Sequence, residues 1–147
     1  MRKVNTVRFG EIDVDETKIL HFKEGIPAFE TEHEFLLLPF EENSPFSFMQ
    51  SLKSPDLAFL VTNPFLFFPE YSFEIDDDIM KSLEIDAQED LLIYVILTIP
   101  NGEVKKMTAN LMAPVVLNVK NMQSKQVVLD KSPYQTKHLL FAEKEEA

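Results

Sequence analysis

One domain is what 147 residues ordinarily make, and 45% hydrophobic residues, with thirteen phenylalanines, exclude an intrinsically disordered chain. The absence of cysteine excludes disulfides, thiolate zinc sites and cysteine nucleophiles, and suits a reducing compartment. The formal net charge of -11 is unevenly spread: residues 1–100 hold 7 Lys+Arg against 20 Asp+Glu, a net of -13, and residues 101–147 hold 7 against 5, a net of +2. Phosphate binding relies on clustered Lys and Arg, so the acidic part suits a basic protein rather than nucleic acid, although acidity also keeps a Phe-rich chain soluble.

In chain order, "MRKVNTVRFG" lacks the apolar region of a secretory signal, and "TVRFGEIDV" puts β-prone residues on both sides of Gly10. "KILHF" leads into "KEGIPAF", where Gly25 and Pro27 mark a turn. "EFLLLPF", "FSFMQSL", "LAFLVTN" and "LLIYVILTI" have strand composition and strand length. The last is apolar almost throughout, so Leu91 to Ile99 is the expected central strand, covered on both faces; it is also too short to cross a membrane as a helix, which needs about 20 residues. Between these strands, "DDDIMKSL" is the one expected helix, capped by Asp76 or Asp77, with Ile79, Met80 and Leu83 on one face and a further turn from Asp86. Asn101-Gly102 fits the positive φ angles of a two-residue hairpin turn. A strand should return through "VKKMTANLM", with Met107, Ala109 and Leu111 on one face and Thr108 and Asn110 on the other. "APVVLNV" and "KQVVLD" complete the strands. The expected fold is all-β: a single antiparallel, barrel-like domain over residues 1–138, with one or two short helices near 76–89 and a partly disordered tail over 139–147.

Little in the sequence points to catalysis. His21, His33 and His138 are scattered without metal-ligand spacing, no G-x-S-x-G elbow surrounds a serine, and three distant glycines preclude a P-loop or a dinucleotide fingerprint. Asp76, Asp77 and Asp78 lack the alternate spacing, central glycine and terminal glutamate of an EF-hand. No catalytic residue, metal or cofactor is therefore assigned, and a binding function is the expectation.

Its centre is "NPFLFFPEY", residues 63–71. If extended, this stretch points Phe65 and Phe67 one way and Leu66 and Phe68 the other, so that it is either a core plug or, with one pair outward and an acidic border, a hot spot. The expected partner-binding residues are Asn63, Pro64, Phe65, Phe67, Glu70, Tyr71, Glu74, Asp76, Asp77 and Asp78, with Thr108 and Asn110 from the polar face of "MTAN".

Taken together, "FGEI" (9–12), "EGIPAFE" (24–30), "SPF" and "QS" (within 44–51), "DLAFLVTNPFLFFPEY" (56–71), "YVILTIP" (94–100), "MTANLMAPVVLN" (107–118) and "KQVVL" (125–129) resemble the FliW family of flagellar assembly factors. The resemblance implies a non-enzymatic, β-barrel-like chaperone and regulator of the bacterial cytoplasm that binds flagellin before export. It also implies binding and antagonism of CsrA, the RNA-binding translational repressor, by an allosteric route away from the RNA groove, which couples flagellin level to flagellin translation in flagellum biogenesis. Direct nucleic-acid or membrane binding is not expected, and the chain should be a monomer alone. Ala28 departs from the pattern, standing where glycine is expected. Two other readings stay open on the residues: a flagellin chaperone without a CsrA role, and a small-ligand barrel or enzyme with a Phe-lined pocket.

Overall fold

Strand-forming side chains dominate from the first residues of the computed structural model, which describes residues 2–129 and 131–141. β1 (Arg2–Thr6) and β2 (Gly10–Val14) form an antiparallel ribbon of their own. Val4 and Ile12 face inward from it onto Val14, Ile19 and Leu36. The other nine strands make one sheet: β3 (Leu20–His21), β4 (Glu34–Pro39), β5 (Phe46–Ser51), β6 (Ala58–Thr62), β7 (Leu91–Thr98), β8 (Thr108–Ala109), β9 (Val115–Asn118), β10 (Ser124–Gln126) and β11 (His138–Leu139). Their order is β10-β9-β7-β6-β5-β4-β3, with β8 paired to β7 and β11 to β8, every pair antiparallel. The sheet rolls until its two ends touch at one parallel bridge, His21 with Gln123, where the His21 N–H donates to the Met122 carbonyl at 2.9 Å. It is thus barrel-like without a continuous ladder at the seam.

β7 is the central strand, as its composition predicts, because three others pair with it: β6 along one edge, β9 and β8 along the other. Its side chains divide two cores. Tyr94 and Ile96 pack on Leu20, Phe22, Phe35, Met49 and Leu117, whereas Val95 and Leu97 pack with Tyr71, Met107, Ala109 and Leu111. Leu92, 42% exposed, and Thr98 are the exceptions to cover on both faces.

The expected helix is α1 (Asp77–Ser82). Leu83 is buried and Ile79 and Met80 pack beside it, so the shared face is as predicted. The cap is not: Asp76 stands at the N-cap position but its side chain accepts no cap hydrogen bond. The further turn from Asp86 is a 3-10 turn over Gln88–Asp90. The tight hairpin at Asn101-Gly102 also needs correcting. Both residues have positive φ, 53 and 75, but two 3-10 turns separate the strands and Thr98 pairs with Thr108. The returning strand is correspondingly reduced to Thr108–Ala109, since β8 has partners for only two residues. Its alternation nevertheless holds, with Met107, Ala109 and Leu111 buried and Thr108 and Asn110 half-buried.

Residues 139–141 belong to the fold rather than to a tail. Leu139 pairs with Thr108, the Leu140 N–H donates to the Met107 carbonyl at 2.9 Å, and Leu140 is buried with Leu97 and Leu111. The remaining residues assigned to the tail, 142–147, lie outside the described residues.

Two buried polar groups, Gln50 in β5 and Glu32 in the connection before β4, escape any reading of apolar pattern. Gln50 is fully buried, and its side-chain amide donates to the carbonyls of Ser51 at 3.0 Å and Leu57 at 3.1 Å, tying down the β5–β6 connection. Glu32, also buried, accepts from the hydroxyls of Ser51 and Ser54 at 2.5 and 2.6 Å.

Candidate functional site

Residues 63–71 are not extended. Asn63 caps a 3-10 turn over Pro64–Leu66, its side-chain oxygen accepting the Phe65 N–H at 2.9 Å while proline takes the first helical position, where it lacks nothing the turn needs. The Pro64 carbonyl then accepts the N–H groups of Phe67 and Phe68 at 3.1 and 2.7 Å, and the Phe68 carbonyl accepts that of Tyr71 at 2.9 Å. Coiling replaces the two-residue alternation expected of a strand. Phe65 and Leu66 point outward, 42% and 61% exposed, whereas Phe67 and Phe68 are half-buried against the Tyr71 core. The segment is therefore plug and surface at once, but divided into consecutive pairs. Asn63-Pro64 is itself a turn-start signature, and it is the signal that shows the coil in the sequence.

Aromatic contacts fix the inward half. Phe67 stacks on Phe46 (5.8 Å between centroids, planes 14° apart) and meets Phe141 edge-on at 5.9 Å. Phe68 meets His138 at 6.2 Å, and Tyr134 stands edge-on to Tyr71 at 4.7 Å. The Tyr71 phenol donates to the Leu111 carbonyl at 2.7 Å, and burial holds its ionisation well above the usual tyrosine range. The Tyr134 oxygen accepts the Ser72 N–H at 3.0 Å, which seats the chain as it leaves the coil.

The expected binding residues consequently fall into different settings. Asn63, Phe65 and Glu70 are exposed; Phe67 is half-buried; Pro64 and Tyr71 are buried and hold the coil from beneath. Glu74 and Asp76 line a separate groove with Phe73, Val128 and Lys131, and Asp77 borders a third surface with Lys81 and Glu84. Asp78 is exposed in the first turn of α1. Thr108 sits in β8 between Thr98 and Leu139, and the Asn110 side-chain oxygen accepts the N–H groups of Met112 and Ala113, both at 3.1 Å, so this asparagine shapes a turn. Leu66, Phe141, Tyr134 and His138 join the neighbourhood without having been selected. The first lies in the quoted segment on the side opposite to the one chosen; the other three come from a C-terminal stretch with no periodicity to single them out.

Among the described residues, no three His, Asp or Glu side chains are close enough to hold a metal ion, and no helix is long and apolar enough to cross a membrane. Two of the histidines have ring partners of their own. The His33 Nδ1 pairs with the Phe22 carbonyl at 2.8 Å, and the His138 Nε2 accepts the Gln135 N–H at 2.8 Å.

The comparisons with known proteins agree with one another. The family model described as FliW protein matches residues 3–140. The flagellar assembly factor FliW of Bacillus pumilus is 44% identical over 137 residues, 93% of this chain and 94% of its own, and that of Thermoanaerobacter pseudethanolicus is 43% identical over 142 residues, 96% and 94% of the two chains. A crystal structure of the flagellar assembly factor FliW superposes with a TM-score of 0.90 at 40% identity, covering 97% of this chain and 99% of that one.

Proposed function

The chain belongs to the FliW family of flagellar assembly factors, and on that premise we propose that it is a cytoplasmic, non-enzymatic protein-binding regulator. It holds flagellin before export and, when flagellin is scarce, binds and antagonises CsrA, so that flagellin level is coupled to flagellin translation. The observation that carries this reading is the outward pair Phe65 and Leu66, exposed on a coil whose inner half is anchored in the core. Exposed large apolar side chains on a rigid base, beside Glu70 and upstream of Glu74 and Asp76, are suited to covering apolar surface on an unassembled partner. The charge of the chain supports a second, basic partner, since complementary fields speed encounter.

The contact surface proposed is the exposed part of residues 63–78, with Leu66 added and the buried Pro64 and Tyr71 acting as its support. Titrating purified flagellin and purified CsrA against this protein, separately and in competition, tests the function. Binding of both, with loss of CsrA repression in a translation assay, is the expected result. Failure of CsrA to bind, with flagellin bound, would leave only a flagellin chaperone.

A further inference from the structure

A groove of about 500 Å³ lies directly behind the coil, and it is lined by Phe67, Phe68, Glu70, Tyr134 and His138. Its lining is aromatic: Phe68 and Tyr134 meet the His138 ring at 6.2 and 6.1 Å, Phe67 lies alongside, and Glu70 supplies one carboxylate. Glu70 is exposed and makes no ion pair among the described residues. Nor is a cation of this chain placed on these rings; among the described residues the ring that carries one is Phe48, under Arg8 at 4.2 Å.

We propose that this groove takes an arginine side chain from a basic protein partner. Aromatic faces attract a cation through the ring quadrupole, and the planar, weakly hydrated guanidinium stacks on them better than a lysine ammonium does. The carboxylate of Glu70 adds a charge-assisted contact at the mouth, while the apolar sides of Phe67 and Phe68 accept the three-carbon stem. The acidic residues 74–78 that follow in the chain favour a basic partner over an acidic one. The inference rests on the proposed reading that one partner of this protein is basic, and it names the side chain by which that partner is held.

The test is an NMR titration of the full chain with a short capped peptide carrying one arginine, beside the same peptide with lysine or glutamine in its place. The arginine peptide is expected to shift the ring signals of Tyr134 and His138, the lysine peptide to bind about threefold more weakly, and the glutamine peptide to leave both signals unmoved. Glu70→Gln, at an exposed carboxylate, should keep the fold and weaken the arginine peptide about fivefold. Equal response to all three peptides, or arginine shifts confined to other residues, would overturn the proposal. A parallel titration with CsrA separates the two readings. Wild-type binding that Glu70→Gln leaves unchanged sinks the groove and spares the function; an arginine-selective groove in a chain that ignores CsrA does the reverse.

Discussion

Ala28 has a φ of 73, in the left-handed region that costs a residue with a Cβ about 1 to 2 kcal/mol. It follows Pro27 in a turn closed by the Phe29 N–H donating to the Ile26 carbonyl at 2.6 Å, the arrangement of a type II turn, whose third position favours glycine. The departure noticed in the sequence is thus a real site of strain. Ala28→Gly is expected to stabilise the protein by about 0.5 to 1 kcal/mol, the relief of strain less the extra chain entropy of glycine, as measured by urea denaturation. Gly25, three residues earlier, has no such freedom, because a Cβ there would lie 2.5 Å from the Glu30 carbonyl oxygen. Glu32 shows what residue patterns conceal. Burial raises its ionisation, but the hydroxyls of Ser51 and Ser54 and the nearby Lys53 outweigh burial and hold the carboxyl below the usual glutamate range. A group depressed in the folded state stabilises it above the unfolded value of about 4.3 and loses that contribution as pH falls through the lower folded value. Stability measured by urea denaturation should therefore drop on acidification below about pH 4, and less steeply in Glu32→Gln, which has no proton to take up. An unchanged acid limb in that variant would place the loss elsewhere, with Asp13, Asp15 and Glu24 the next carboxyls held low by their partners.

Elements were legible where one chemistry filled a whole stretch. β4, β5, β6 and β7 stand within a residue or two of the apolar runs that announced them, because a strand with neighbours on both edges needs a continuous supply of β-branched and aromatic side chains. The two-residue strands were not legible. β8 and β11 are set by what lies beside them, and "VKKMTANLM" carries enough alternation for nine residues while finding partners for two. The coil at 63–71 is illegible for a different reason: period-two alternation holds only for an extended stretch, and Asn63-Pro64 starts a 3-10 turn. A pair of substitutions separates the inner and outer apolar residues at this end of the molecule. Leu140→Ala, 5% exposed and closing the core beneath β8, should cost about 3 kcal/mol of unfolding free energy. Leu66→Ser, 61% exposed, should change stability by less than about 0.5 kcal/mol and weaken flagellin binding in a titration. Equal destabilisation by both would contradict the division of this surface into support and display.

For the whole molecule, charge and packing lead to separate expectations. Asp76 and Asp78 are exposed and form no ion pairs among the described residues, so reversing both leaves the fold intact while changing the field. Asp76→Lys with Asp78→Lys is expected to slow CsrA association several-fold at low salt and much less at 0.5 M, where the screening length is well under the ~10 Å of 0.1 M salt. Association unaffected at low salt would remove the acidic run from the interface. The sequence alone determined an all-β antiparallel domain, its central strand, its one helix, its acidic surface and its family, because each is recorded in local composition or in the order of short motifs. It could not determine which aromatic faces outward, since Phe65 and Phe67 are chemically identical until the turn and the Phe46 and Phe141 rings assign one to solvent and the other to the core. Nor could it bring Tyr134 and His138 to Phe68, more than sixty residues away. That meeting is made by β11 docking on β8, and it exists only in the folded chain.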